Sequence, residues 1–286
     1  MEESKYEIEQ QIILKNDGPN LASKLALRVA LITTREPYQR VVSTKISPEK
    51  YNTVSDDYGN IFAEFEFSDI FAGKDVSVRI DYQVAASKLR YSLGPYEERI
   101  PVRFLEAERW IESKEGEIVA LSQQLTSDKP SSWEKARAIY DWIGGNISYT
   151  GYYPKSRGAL FALRNRSGDC SEFSDLLIAL CRAAGIPART LNGVTKENAS
   201  SAAETHDWAE VYLSGTGWVP VDPTWGRFRE KRAQYFAGMT ADHIIVTTGK
   251  NLDLLGGFFN FYYTWQRVGG KTEVSGVQGW QIRKVK

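Results

Sequence analysis

Three residues in the second half of the chain could together perform nucleophilic catalysis. Cys170 supplies a thiol, His206 a base that can take its proton, and Asp222 a carboxylate that can orient the imidazole. A nucleophile, a base and an orienting group in this relation attack a carbonyl carbon and form a covalent acyl intermediate. His206 would later protonate the leaving amine. The three residues are far apart in sequence, so folding must bring them together.

The segment that contains Cys170 is predicted to be a helix. Apolar residues recur after it at three- and four-residue steps, and Gly185 and Pro187 mark the predicted end of the helix. Cys170 then lies on the first turn, where unpaired N–H groups and the positive end of the helix dipole favour a thiolate. The backbone N–H of Cys170 is therefore the first candidate donor to a developing oxyanion.

His206 and Asp222 are predicted to lie on the two strands of a hairpin. Residues 206–213 alternate in polarity, residues 214–217 form a turn, and residues 218–222 run back. Antiparallel pairing places Asp222 opposite a position two or three residues from His206. The two side chains can then meet across the sheet, directly or diagonally.

Other side chains could assist this constellation. Tyr152 and Tyr149 are candidate side-chain donors to an oxyanion, with core packing as the alternative. His243 is the other possible base, but no aspartate follows it on a return strand, so we expect a structural role. Asp207 is predicted to be an exposed charge and Glu210 a partner of the catalytic groups. Three tryptophans could line an acyl cleft or pack against the sheet, namely Trp208, Trp218 and Trp225.

Composition and cysteine usage limit the cofactors and partners. The 286 residues carry a formal net charge of zero, and no basic run is present, so we expect neither nucleic acid nor an anionic membrane as partner. Two histidines and two separated cysteines lack zinc-ligand spacing, so we expect no metal and no cofactor. Cys170 and Cys181 would lie roughly 16 Å apart on one helix, beyond the about 7 Å that a disulfide allows. Both thiols are predicted to be free.

The sequence contains no long apolar segment and no leader at its start, which predicts a soluble protein. A cytoplasmic location fits the free thiols, and an extracytoplasmic one stays open if a leader precedes this sequence. The expected partner is a protein or peptide substrate. The oligomeric state is open.

Two domains are predicted from the length and the patterning. Alternating apolar residues between Tyr6 and Val84, separated by turn signals, predict an immunoglobulin-like β-sandwich without a disulfide over residues 1–104. Gln10 interrupts the first strand. All eight tryptophans lie after position 105, so residues 105–286 are predicted to form the catalytic domain. Residues 242–247, 258–267 and 279–285 are predicted to be further strands that close its sheet.

Four segments resemble the core motifs of the transglutaminase-like superfamily, in the expected order. They are GDC at 168–170, RAAGIPAR at 182–189, HDWAEV at 206–211 and GWVPVDPT at 217–224. The resemblance covers about residues 115–250, and the chain ahead of it is similar to the β-sandwich that precedes this core in many bacterial and archaeal members. It implies an α+β, papain-like thiol fold in which a helix with Cys170 packs on an antiparallel sheet with His206 and Asp222.

The chemistry that this resemblance implies is acyl transfer at amide bonds through a Cys170 thioester. Water as acceptor gives proteolysis or glutamine deamidation, and a lysine amine gives cross-linking; the sequence does not decide between them. The Ca²⁺ dependence of animal transglutaminases is not expected, because no loop resembles an EF-hand. Two alternatives stay open: a catalytically silent binding or scaffold module with the same fold, and a relative of peptide N-glycanase. The extra cysteine pairs of that branch are absent.

Overall fold

The computed structural model describes residues 2–92, 101–196 and 205–285. In chain order its strands are β1 (Glu3–Asn16), β2 (Ala22–Ala30), β3 (Gln39–Ser47), β4 (Asn52–Ser55), β5 (Ile61–Ile70), β6 (Asp75–Ser87), β7 (Leu89–Arg90), β8 (Ser148–Tyr149), β9 (Ser167–Gly168), β10 (Ala188–Thr195), β11 (His206–Leu213), β12 (Gly217–Val221), β13 (Gly238–Met239), β14 (His243–Thr248), β15 (Phe261–Arg267) and β16 (Val274–Val285). The α-helices are α1 (Gly116–Thr126), α2 (Ser132–Asn146), α3 (Ala159–Asn165) and α4 (Cys170–Ala183). Short 3₁₀ turns lie at Val102–Leu105, Trp225–Arg227 and Asp253–Leu255. None of the described helices has the length and apolar character needed to cross a membrane.

The chain divides into two compact units, each built from separate stretches of sequence. The first unit comprises Lys88–Asn192 and His206–Ala241. The second comprises Glu2–Ser87, Gly193–Thr205 and Asp242–Lys286. The candidate catalytic residues all belong to the first unit. The sequence-based domain boundary between residues 104 and 105 lies inside that unit.

The second unit contains the predicted β-sandwich. One antiparallel sheet has the strand order β16-β1-β6-β3, and the other has the order β15-β2-β5-β4. Alternate residues of β1, including Ile8 and Ile12, are buried in the core between them. Gln10 is buried in the same row, and its side-chain oxygen accepts a hydrogen bond from the Tyr82 hydroxyl at 3.0 Å. That partner explains how a polar residue fits the apolar face.

The prediction that the C-terminal strands close the catalytic sheet is wrong for β15 and β16. Strand β16 pairs with β1 from Lys5↔Val285 to Asn16↔Val274, and β15 pairs with β2. The buried side chain of Trp280 enters the sandwich core. Alternation correctly indicates a strand here, but it carries no information about which sheet the strand joins.

The first unit has the predicted α+β architecture. Helix α4 packs against strand β11 and contacts the three other α-helices, so it lies at the centre of the unit. Strands β12, β11 and β10 neighbour one another in that order, and the β11–β12 pairing is antiparallel. Apolar side chains of α4 and of alternate positions in β11 share one core, including Phe173, Leu177, Ala209 and Val211. A central helix on an antiparallel sheet is thus the scaffold for the candidate site.

Candidate active site

Cys170 is the first residue of α4, as predicted. Asp169 is the N-cap, and its Oδ1 accepts a hydrogen bond from the Ser171 N–H at 2.9 Å. Glu172 Oε2 accepts from the Asp169 N–H at 3.0 Å, which completes a capping box. A Cβ at Gly168 would lie 2.4 Å from Glu172 Cβ, so only glycine fits beside this cap. These contacts fix the helix start and the cysteine on it.

A buried charge network supports the cap. Arg157 binds Glu172 with its Nη2 2.5 Å from Oε2, and its backbone N–H donates to Oε1 at 3.0 Å. Burial opposes ionisation of Glu172, but the hydrogen bonds from Arg157 and from the Asp169 N–H outweigh it and hold the Glu172 pKa below its usual range. Burial and the charge of Glu172 raise the pKa of Asp169 to about 6. Hydrogen bonds from the N–H groups of Tyr153 and Ser171 lower this pKa but do not outweigh the two other effects.

The predicted hairpin brings His206 and Asp222 together. Ala209 pairs with Val221 in the antiparallel ladder. The next residue, Asp222, therefore lies opposite position 208, which is two residues from His206. This confirms the diagonal register expected from the sequence. His206 Nε2 lies 2.8 Å from Asp222 Oδ2, and both side chains are buried. The carboxylate therefore fixes the orientation of the imidazole ring.

The turn after β12 holds Asp222 in place. Its other carboxylate oxygen, Oδ1, accepts hydrogen bonds from the backbone N–H groups of Thr224 at 2.8 Å and Trp225 at 3.0 Å. Its own N–H donates to Tyr235 O at 2.9 Å. Each carboxylate oxygen thus has a defined role: Oδ1 binds the turn and Oδ2 binds the imidazole.

The neighbours of the candidate nucleophile and base bind each other directly. The Ser171 hydroxyl donates to Asp207 Oδ2 at 2.6 Å, and the Ser174 hydroxyl donates to Asp207 O at 3.0 Å. Asn192 Nδ2 donates to Asp207 Oδ1 at 2.6 Å. The prediction that Asp207 is an exposed charge is wrong, because its side chain is buried and fully engaged in these hydrogen bonds. The strand alternation indicated the face of Asp207 but not that the hydroxyl groups of α4 cover it.

The Cys170 thiol lies in the same region. It accepts a hydrogen bond from the Asp207 backbone, which lowers its pKa. Burial and the negative charges of Asp207 and Asp169 outweigh this contact and raise the thiol pKa well above its usual value. The helix start alone predicts the opposite direction, since it favours a thiolate. The surrounding carboxylates and the burial were not visible in the sequence.

The two tyrosines considered as oxyanion donors lie in different settings. Tyr149 pairs with Gly168 in the short parallel ladder of β8 and β9, and its ring centroid is 6.3 Å from that of Phe173. Burial and the charges of Cys170 and Asp169 raise the pKa of Tyr149, which places it near the thiol. Tyr152 is 54% exposed. The contacts of Tyr149 place it beside the nucleophile, and the role of Tyr152 as an oxyanion donor stays a prediction.

The three tryptophans occupy three environments. Trp208 is fully buried, and its ring stacks near His206 at a centroid distance of 5.8 Å. Trp218 packs edge-on against Tyr212, and the Arg189 guanidinium carbon lies 4.2 Å from its ring centroid. Trp225 is half-buried in the turn that binds Asp222.

Two other predicted polar residues have clear partners. Glu210 is buried and binds Arg189, with Oε2 at 2.6 Å from Nη2. His243 lies in the second unit, where its Nδ1 is 3.0 Å from Asp242 Oδ1. Both cysteines are free, and burial raises the pKa of Cys181 to about 12.

Comparisons with known proteins place this geometry in context. Residues 119–223 match the family model of the transglutaminase-like superfamily. The kyphoscoliosis peptidase of Mus musculus is 32% identical over 117 residues, which is 37% of this chain and 18% of that protein. A protein-glutamine γ-glutamyltransferase of Pseudomonas aeruginosa is 33% identical over 73 residues, which is 23% of this chain and 11% of that protein. The chain thus spans less than a fifth of the length of these curated relatives.

A solved structure is similar over the whole chain. It is a candidate cysteine protease from Cytophaga hutchinsonii, with a TM-score of 0.70 and 19% identity, and the match covers 100% of this chain and 92% of that one. At this identity the likeness concerns the fold. The comparisons therefore agree with the α+β core, and the range matched by the family model includes positions 170, 206 and 222.

Proposed function

Because this chain is a member of the transglutaminase-like superfamily, we propose that it transfers acyl groups from amide bonds of protein or peptide substrates through a Cys170 thioester. His206 is the proposed base and Asp222 its orienting group. The observation that carries the proposal is the buried contact of 2.8 Å between His206 Nε2 and Asp222 Oδ2, next to the helix that begins at Cys170.

The contact with Asp222 supports a separate role for each nitrogen of the imidazole ring. Nε2–H donates to the carboxylate, so Nδ1 carries the lone pair that can accept a proton from the thiol. Cys170 Sγ then attacks the carbonyl carbon and forms a tetrahedral intermediate. As the C–N bond breaks, the proton on Nδ1 passes to the leaving amine, and the thioester stays on the enzyme.

The resting form of Cys170 is proposed to be the neutral thiol. Burial and the charges of Asp207 and Asp169 raise the pKa of Cys170, which opposes a preformed ion pair. Proton transfer to His206 then accompanies the attack on the carbonyl carbon. The N–H of Cys170, on the first turn of α4, is the proposed donor to the oxyanion, with the Tyr149 hydroxyl as a second donor.

The acceptor of the acyl group determines which reaction results. Incubation with a library of glutamine-containing peptides, with and without a primary amine, separates the outcomes by mass spectrometry. A gain of about one mass unit indicates deamidation, amine incorporation indicates transglutamination, and chain cleavage indicates proteolysis. The Cys170→Ala variant is the matched control: we expect loss of turnover with a melting temperature close to that of the wild type. Full turnover in this variant would refute the proposal.

A catalytically silent binding or scaffold module is the second candidate. The observation that favours it is the thiol itself, which is 9% exposed and has a raised pKa. Alkylation by iodoacetamide distinguishes the two candidates. A catalytic Cys170 is accessible to the reagent, and the His206→Ala variant slows its alkylation because the base is lost. An unreactive thiol, or a rate that does not depend on His206, supports the scaffold.

A further inference from the structure

A positive charge that has no carboxylate partner among the described residues lies next to the candidate active site. Arg227 ends the 3₁₀ turn Trp225–Arg227, whose first N–H groups bind Asp222. Its Nη1 donates to Thr224 O at 2.5 Å. A guanidinium carries several further N–H donors. No Asp or Glu side chain within the described ranges forms an ion pair with it.

Contacts of Arg227 connect both sides of the proposed reaction centre. Its guanidinium carbon lies 4.6 Å from the ring centroid of Tyr149 and 4.0 Å from that of Phe228. Tyr149 pairs with Gly168, two residues before Cys170. Arg227 is therefore linked to the nucleophile through Tyr149 and to the orienting carboxylate of Asp222 through its own turn.

The packing holds this cation in a defined place but does not neutralise it. Aromatic rings attract a guanidinium at their faces, and they fix its plane. Burial lowers the pKa of Arg227, and the charges of Tyr149 and Asp222 raise it by a smaller amount. A guanidinium nevertheless stays protonated in proteins. A half-buried guanidinium keeps N–H donors that can exchange water for a group of the substrate. A carboxylate is the group whose geometry matches a guanidinium in two parallel hydrogen bonds.

We propose that Arg227 binds a carboxylate of the substrate, so that the enzyme prefers peptides with an acidic group next to the amide that Cys170 attacks. This inference rests on the proposed function of the same site. The carboxylate comes from an Asp or Glu side chain or from a free C-terminus, and the recognition chemistry is the same for both.

Two alkylating reagents of nearly equal size test for the charge at the thiol. Iodoacetate and iodoacetamide both form one S–C bond with Cys170 and release iodide, but only iodoacetate carries a carboxylate. The readout is the ratio of the two alkylation rates. We expect Arg227→Gln to lower the iodoacetate-to-iodoacetamide ratio about tenfold, which is the effect of one unit charge a few ångströms away in partly screened surroundings. Arg227→Lys keeps the charge and should keep most of the ratio.

The exposed Arg229 provides the matched control, because Arg229→Gln removes the same charge two residues away. We expect the ratio to stay close to that of the wild type in this variant. An unchanged ratio in Arg227→Gln, or an equal fall in Arg229→Gln, would overturn the inference. If neither reagent alkylates Cys170, the proposed function fails and the inference fails with it.

Paired peptides distinguish the two sources of the carboxylate. Each glutamine-containing peptide is compared with a partner in which a neighbouring Asp is replaced by Asn, or a free C-terminus by a carboxamide. Wild-type enzyme should have a lower KM for the acidic member of one pair, and Arg227→Gln should lose that preference while it still turns over the neutral peptides. Turnover without any acidic preference would overturn the inference and leave the proposed function intact.

Discussion

The Ser171 hydroxyl lies 2.6 Å from Asp207 Oδ2. Ser171 directly follows the candidate nucleophile, and Asp207 directly follows the candidate base. The hydrogen bond therefore joins the start of α4 to the start of β11 at the point where Cys170 and His206 must meet. Asn192 holds the same carboxylate from β10. A buried carboxylate that accepts hydrogen bonds from two elements is a rigid connection between them.

The charge of Asp207 should control the acidity of Cys170. Burial is the main cause of the raised thiol pKa, and the charge of Asp207 is the next. Asp207→Asn removes this charge and keeps the shape of the side chain, so the thiol pKa should fall. The rate of iodoacetamide alkylation, measured as a function of pH, should then begin to increase at a lower pH in Asp207→Asn than in the wild type. Asp128→Asn, an exposed carboxylate on the first unit, should leave the curve in place. A shift to higher pH in Asp207→Asn would contradict this account.

The proposed role of Asp222 predicts a change of imidazole tautomer in Asp222→Asn. The amide oxygen can still accept from the turn N–H groups, but the amide nitrogen then faces His206 Nε2. Two donors cannot face each other, so the proton should move to Nδ1, which can no longer accept the thiol proton. We expect kcat to fall on the order of 10³-fold with little change in KM.

Nitrogen chemical shifts of the His206 ring report this tautomer without any substrate. The chain has two histidines, so His206→Asn identifies the relevant signals. Wild-type protein should show protonation at Nε2, and Asp222→Asn at Nδ1. The same tautomer in both proteins would show that Asp222 does not set it.

The buried N-cap predicts a specific dependence of stability on pH. The pKa of Asp169 rises from 3.8 to about 6 in the folded protein, so folding is favoured while the carboxyl is protonated. This contribution to the free energy of unfolding is present below about pH 4 and is lost as the pH rises through 6. A shift of about two pKa units corresponds to a loss of roughly 3 kcal/mol. Urea unfolding of the wild type should show this loss, and Asp169→Asn should reduce it. An equal dependence in both proteins would rule out Asp169 as its source.

Two glycine substitutions should have opposite effects on stability. A Cβ at Gly168 would lie 2.4 Å from Glu172 Cβ, so Gly168→Ala should force the capping box apart and destabilise the fold by about 1–3 kcal/mol. Gly145 lies exposed in α2, and no heavy atom within 4 Å would contact its Cβ. Gly145→Ala should be neutral or stabilising by up to about 1 kcal/mol. Thermal unfolding of the two variants measures both effects, and an unchanged melting temperature in Gly168→Ala would contradict the close packing.

The sequence predicts local geometry well where one short-range rule decides it. The start of α4 at Cys170 and its end before Gly185 follow from periodicity and termination signals. The hairpin register that brings His206 to Asp222 follows from the turn length. Strands β3 and β4 were not predicted, because they lie at the edges of their sheets and most of their side chains are exposed, so their pattern does not alternate.

Long-range partners are what the sequence could not provide. The pairing of β16 with β1 joins the two ends of the chain, and alternation is the same whichever sheet accepts the strand. The burial of Asp207 depends on hydroxyl groups of α4, and the position of Arg227 depends on a ring from β8. The capping box of Asp169 and Glu172 did have a local signal, an acidic residue three positions after the cap.

The most direct test of the central proposal is to detect the acyl group on Cys170. A reactive peptide from the glutamine library is mixed with enzyme, quenched in acid within the first turnover and digested for mass spectrometry. We predict an acyl adduct on the fragment that contains Cys170, absent in Cys170→Ala and strongly reduced in His206→Ala. Peptide turnover with an unmodified Cys170, or an adduct that forms equally well without His206, would contradict the account.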